Sequence, residues 1–483
     1  MIAILVIFCY LALIFLISRV TARRPSNEAF FRGERRSPWY MVAWGMIGAS
    51  ISGVTFVSVP GMVLWQDMTY MQTCLGFILG YLAVAFVLLP VYYRLNLTTI
   101  YAFLGQRLGR DAYKTGAAFF LLSKMTGAAA RFYVVCLIVR QMLDTPFTLT
   151  VVAMVALIWL YTRRGGIKTL VWTDGLQTAC MFGALALIIY KVMGALDLSV
   201  GEAVRAIAAD SHSRIFVWDD WVSRQNFWKQ FLSGVFIVIV MTGLDQDMMQ
   251  KNLTCRNLRD AQKDMCSYGL AFVPANLLFL SLGVLLTMFA AKQGVPLPSS
   301  GDELLPMFAA TGALGQGVVV LFLLGMVAAS FSSADSALTA LTTSYCVDIC
   351  ERPDDEALRR RVHIGMAVVF TVVILLFGLL NSTSVIDAIY VMCGYTYGPL
   401  LGLFAFALLR PKNNCQLSTV NCRFVPIIAV ASPIICLMID NATRHFLGYQ
   451  FGYELLMLNG LLTFVGLWLS TFRKNQSISS SAS

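Results

Sequence analysis

Apolar runs recur along this chain from one end to the other, broken by short polar stretches. Thirteen can be drawn, at about 2–18, 39–65, 70–93, 113–139, 145–162, 168–194, 228–249, 264–290, 314–345, 363–381, 384–409, 423–440 and 448–472. A helix of about 18 or more such residues spans the hydrocarbon core of a bilayer. The pattern predicts an all-α integral membrane protein of about 13 transmembrane helices. Two runs carry internal breaks. The second contains 45–55, rich in Gly and Ser, and then Pro60-Gly61; the seventh contains Ser233-Gly234, Thr242-Gly243 and the polar Asp245, Gln246 and Asp247. Breakers inside a span free backbone carbonyls, which is tolerated only beside a cavity or a site. The two runs lie five apart, so each opens a set of five. Matched broken helices are the signature of an inverted-repeat carrier with its site at the bilayer midplane, against the plainer reading of glycine-mediated packing.

Composition agrees: 58% of residues are hydrophobic, 13% are charged and mean hydropathy is +0.72. Soluble domains of this size do not reach such values. With the N-terminus outside, the odd connections become cytoplasmic. Most of the Lys and Arg then fall there, at 23–36, 94–114, 163–168, 251–263 and 352–361. The loops at 140–147, 381–385 and 441–447 hold few. This is the positive-inside distribution, and it places the C-terminus in the cytoplasm. The net charge of +10 therefore reflects membrane topology and not nucleic-acid binding. The first run lacks a basic leader and a small-residue cleavage site, and Arg19 follows it, so it reads as a leading helix and not a signal peptide.

The organisation expected is one polytopic domain over 1–473. It comprises a leading helix (1–20), a core (37–411), two further helices (423–473) and a disordered cytoplasmic tail (474–483). Cys415 and Cys422 share a predicted cytoplasmic loop, where a disulfide is disfavoured. His212, His363 and His445 are far apart and lack zinc spacing. Glycosylation sequons at Asn96 and Asn252 fall on the cytoplasmic side and read as chance. Nothing points to catalysis or to an obligatory protein partner; membrane lipid surrounds the whole.

Candidate chemistry concentrates in 325–341. Ala329, Ser332, Ser333 and Ser336 stand at i, i+3, i+4 and i+7 and share one helical face. Oxygens on one dry face suit a bare, hard cation. Small residues also let membrane helices pack closely, which leaves a structural alternative. Asp335 beside that face favours the ion, since intramembrane carboxylates are costly and usually functional.

Four motifs carry a resemblance. Phe30-Phe31-Arg32-Gly33 leads into 47–53, and Gly165-Gly166 and Lys168 precede Val171-Trp172-Thr173-Asp174 with Gln177. Asp245-Gln246-Asp247 is followed by Gln250, and Ser332-Ser333-Ala334-Asp335-Ser336 is followed by Val347-Asp348-Ile349. Together and in this order they make the chain resemble the sodium:solute symporter family over about 1–470. That resemblance implies a LeuT-like inverted-repeat fold of 5+5 core helices, with one extra N-terminal and two extra C-terminal helices. It implies a sodium site of the carbonyls of Gly48, Ile51 and Ala329 and the hydroxyls of Ser332 and Ser333. Members often carry Ala where Gly48 stands, which is harmless if only the carbonyl matters. Some members bind a second sodium, for which Asp174, Ser332, Asp335 and Ser336 are the matching positions. Asp174 as a structural acid, or Asp335 paired with Lys168, are the alternatives.

Arg131 lies mid-span, where a guanidinium needs a counter-charge or an anionic ligand. Sialic-acid transporters of the family are similar here, with an Arg for the sugar's carboxylate and hydroxyls matching Ser52 and Thr55. Gln72 is a further candidate contact. A structural ion pair from Arg131 to Asp174 or Asp335 is the competing reading. Tyr395 and Tyr397 read as aromatic packing more than as pocket lining. The expected function is sodium-coupled import of a small organic solute across the cell membrane, with a carboxylated sugar or another organic anion favoured and a neutral hexose as alternative. A sensor on the same fold would carry a signalling domain after the last helix, whereas this sequence ends about ten residues past Arg473.

Overall fold

The computed structural model describes residues 2–22, 25–380, 385–409, 424–449 and 451–481. Cys415 and Cys422 lie outside them. The described residues form helices joined by loops, with one isolated bridge between Ser37 and Cys255. We number the principal helices α1 (Ile2–Thr21), α2 (Trp39–Ser50), α3 (Gly53–Gln66), α4 (Tyr70–Arg94), α5 (Arg110–Leu143), α6 (Phe147–Gly165) and α7 (Ile167–Ala195). They continue with α8 (Phe227–Gly243), α9 (Gln246–Asn252), α10 (Leu258–Gln293), α11 (Gln316–Ile349), α12 (Glu356–Leu380), α13 (Val385–Leu409), α14 (Phe424–Leu447) and α15 (Leu455–Ser481).

Among the described residues eight helices are long and apolar enough to cross a membrane, or ten if each of two bent pairs is one span. Three shorter apolar helices lie at the first, eleventh and thirteenth expected runs. Helix α15 runs on to Ser481, where a disordered tail was expected over 474–483. No Pro or Gly follows Gly466, so nothing in the sequence stops it.

The two bent pairs are the two spans that the breakers mark. Helices α2 and α3 meet at 61°, and α8 and α9 at 69°. Only some of the breakers do the breaking. Pro60 and Gly61 lie within α3. Gly234 lies within α8, where a Cβ would stand 2.2 Å from the Thr73 carbonyl oxygen of α4. That glycine permits helix contact, the plainer reading at this one place. The bend itself follows a π-turn over Ile239–Gly243, with the Leu244 amide donating to the Ile239 carbonyl at 3.0 Å.

Helix α11 is the most enclosed of the eight unbroken candidate spans among the described residues, packed against α7, α5, α12, α2 and α3. Its buried face carries Ala329, Ser332, Asp335 and Ser336. The hydroxyl stripe therefore faces protein rather than acyl chains. Outer faces of α4, α12 and α14 expose Leu, Val, Ile and Phe, as lipid contact requires.

Candidate ion and substrate site

At the first break the backbone changes partners. The Ser52 amide, which would close a helical turn on the Gly48 carbonyl, donates instead to the Ser50 carbonyl at 3.1 Å. The Thr55 amide, due to Ile51, turns to Ser52 Oγ at 3.4 Å, making Ser52 the N-cap of α3. The carbonyls of Gly48 and Ile51 are thus released from the helical ladder. Ser333 Oγ of α11 donates to the Ala49 carbonyl at 3.1 Å, which fixes the serine helix against the unwound turn. Ala329 lies one turn earlier on α11. The unwound segment and the serine face are therefore adjacent, as five neutral oxygen ligands for sodium require. Gly48 is tighter than its carbonyl role demands. A Cβ there would stand 2.0 Å from Thr178 Oγ1 and 2.9 Å from Thr178 Cβ on α7. In this chain an alanine at 48 is not the harmless change that family usage suggests.

The expected second ion position is already populated by charge. Asp174 is fully buried; Ser332 Oγ donates to its Oδ1 at 2.9 Å, and Lys251 Nζ of α9 lies 2.7 Å from its Oδ2. Lys251 was not anticipated. Its signal was a lysine in a run of motif residues, indistinguishable from cytoplasmic positive charge. Asp335 accepts from Tyr161 Oη at 2.5 Å and Ser336 Oγ at 3.2 Å, with no cation paired to it among the described residues. Lys168 is not its partner: Lys168 pairs with Glu34 at 2.9 Å. The carboxylate of Asp174 thus serves Lys251 and Ser332, while the Asp335 carboxyl is met by hydroxyls.

Beside the first break lies a cavity of about 110 Å³, reached by Ser52, Thr55, Arg131 and Ser333. Arg131 makes no ion pair with Asp174 or Asp335, and no hydrogen bond or salt bridge from it occurs among the described residues. The competing structural reading of Arg131 therefore finds no support. Gln72 sits elsewhere. It is fully buried, accepts from the Val217 amide at 3.1 Å and donates to the Gln225 carbonyl at 2.9 Å. It ties down the 210–226 loop and does not line the cavity. Tyr397 does line it and donates to Asp245 Oδ2 at 2.6 Å, while Tyr395 reaches Asp440 at 3.4 Å. The cavity also holds Lys124, Asp245 and Asp247, with Lys124 Nζ 2.6 Å from Asp247. Lys124 went unread because an isolated lysine in the interior of an apolar run carries no pattern.

The family model of the sodium:solute symporter family matches residues 30–417. The chain belongs to the sodium:solute symporter family. It is 24% identical over 445 residues to the sodium/sialic acid symporter SiaT of Proteus mirabilis, covering 88% of each protein. It is 23% identical over 479 residues to the sodium/sialic acid symporter NanT of Aliivibrio fischeri, covering 95% of this chain and 92% of that one. The human sodium/iodide cotransporter is 25% identical over 404 residues; the match takes in 80% of this chain and 62% of the cotransporter, so the chain spans less than two thirds of that relative. A solved Na+-coupled sialic acid symporter in an outward-open state superposes with a TM-score of 0.82 at 19% identity, covering 98% of both chains. Mhp1, a nucleobase-cation-symport-1 family transporter, superposes at 0.55 and 15% identity, covering 93% of this chain and 96% of its own. The fold is thus that of the LeuT-like carriers, in a multi-pass member of this family.

Proposed function

We propose that this symporter imports a small organic anion, with a carboxylated sugar of the sialic-acid kind favoured. One observation carries the reading: an intramembrane guanidinium, Arg131, without an ion-pair partner among the described residues, lines the cavity that also holds Ser52, Thr55 and Ser333. A guanidinium presents a planar fork that matches a carboxylate. The two sialic acid symporters among the relatives support the same substrate class. Sodium sits among the carbonyls of Gly48, Ile51 and Ala329 and the hydroxyls of Ser332 and Ser333, and holds the break in its outward-open form. Substrate then binds next to it, and the core helices rock to open the site inward. Coupling needs only that the two ligands bind better together than apart. Across a potential of about 100 mV one charge contributes about 2.3 kcal/mol, and a tenfold sodium gradient about 1.4 kcal/mol. One ion can then sustain a gradient of about 500-fold for a neutral solute, but about tenfold for a monoanion, whose own charge cancels the share of the potential. The distribution of Lys and Arg supports an external N-terminus and a cytoplasmic C-terminus.

The test is uptake into proteoliposomes in sodium and in choline, offered sialic acid, monocarboxylates, hexoses and proline. Carboxylated substrates should enter only with sodium, and Arg131→Ala should abolish that entry. Normal transport of a neutral hexose by Arg131→Ala, with the wild type ignoring anions, would overturn the substrate class.

A further inference from the structure

The internal repeat relates α2/α3 to α8/α9, each opening a set of five, and relates α5 to α11, each third in its set. Helices α5 and α11 are both 34 residues long. Lys124 lies near the middle of α5, as Ser332 and Ser333 lie near the middle of α11. So the contact between Lys124 and the second break is the repeat's counterpart of the contact between the serines and the first break. We propose that the second break is a cation site whose occupant is built in: the Lys124 ammonium stands where a free monovalent cation would otherwise bind.

The chemistry at the two breaks differs in the way this assignment requires. At the first, carbonyls leave the helical ladder and neutral hydroxyls face them. At the second, the carbonyls of Gly243 and Leu244 are capped by Tyr92 Oη and Tyr101 Oη, each at 2.9 Å, and are not left for an ion. Carboxylates serve in their place. Lys124 Nζ lies 2.6 Å from Asp247 Oδ2 and 3.3 Å from Asp245 Oδ2. Asp245 is held by the Asp247 amide at 2.8 Å and by Tyr397 Oη at 2.6 Å. Its side chain is 2% exposed, that of Asp247 5% and that of Lys124 10%. Asp247 Oδ1 is buried with no hydrogen-bond partner, so the site keeps one unused ligand oxygen. Two buried carboxylates carry one more negative charge than one ammonium offsets, and such a pair without its cation is strongly disfavoured. A tethered ammonium fills the site at no cost in bound ion, so transport draws no second sodium from solution at this point.

Lys124→Gln removes the tethered charge and leaves the carboxylates. Purified in choline, this variant should be less heat-stable than wild type, and added sodium should raise its midpoint by about twice the wild-type shift, since two sites now bind. Lys124→Gln combined with Asp247→Asn restores the charge count, so it should fold in choline and respond to sodium as wild type does. Ser333→Ala weakens the first site; with Lys124→Gln it should retain one sodium response. That last variant separates the two readings: loss of its response, with the single Lys124→Gln response intact, places all sodium binding at the first break and overturns this proposal alone, whereas a response as large as that of Lys124→Gln condemns only the cage at the first break. The proposal is overturned if Lys124→Gln shows the wild-type sodium response, or if the charge-balanced double variant does not fold in choline.

Discussion

Lys251 and Asp174 give the most quantitative prediction. Their charged atoms are 2.7 Å apart, with side chains 2% and 0% exposed, and Ser332 takes the other carboxylate oxygen. Replacing Lys251 with Met leaves a carboxylate in the protein interior with one hydroxyl as its only described support. Removing one partner of such a pair costs about 3–5 kcal/mol, chiefly through the charge left behind. Adding Asp174→Asn removes that charge. The double variant should then recover most of the loss, because replacing a buried pair as a unit is close to neutral. Equilibrium unfolding in mixed micelles, run as a double-mutant cycle, measures the coupling. We expect a coupling of at least about 2 kcal/mol, with the double variant more stable than Lys251→Met. If Lys251→Met unfolds like wild type, or the double variant is no better than the single, the pair is not the buried, mutually neutralising contact described above.

Gly48→Ala should destabilise the protein by about 1–3 kcal/mol through overpacking against Thr178, and Thr178→Ala should return part of that; thermal unfolding of the three variants decides it. Arg131→Lys keeps the charge but loses the fork, and should raise the KM for a carboxylated substrate at least about tenfold, about 1.4 kcal/mol, in concentration-dependent uptake. Gln72→Ala should lower heat stability through its two lost loop bonds, each about 1 kcal/mol, while substrate KM stays within about twofold of wild type.

Hydrophobic run length made the spans legible, and clustered Gly, Ser and Thr marked which two would break. Periodicity also placed the serines of α11 on one face, because helical spacing converts directly into shared direction. Other features left no such trace. Gly234 and the glycines at the breaks look alike in sequence; only the neighbouring backbone of α4 separates a packing glycine from a hinge. Gln72 and Arg131 are both polar residues in apolar runs, yet one turns to a loop and the other to the cavity. Lys124 and Lys251 were the least legible. Each meets its carboxylate more than 70 positions away, through a contact set by tertiary packing alone.

The central claim is that sodium is held where the turn around Ile51 meets Ser332 and Ser333. Its most direct test is the sodium dependence of substrate uptake by Ser332→Ala with Ser333→Ala, in protein shown to be folded. Loss of two ion-facing hydroxyls, each worth about 1.5–3 kcal/mol, should raise half-saturating sodium beyond any usable concentration and end sodium-driven accumulation. Accumulation at wild-type rates, with an unchanged half-saturating sodium concentration, would contradict it.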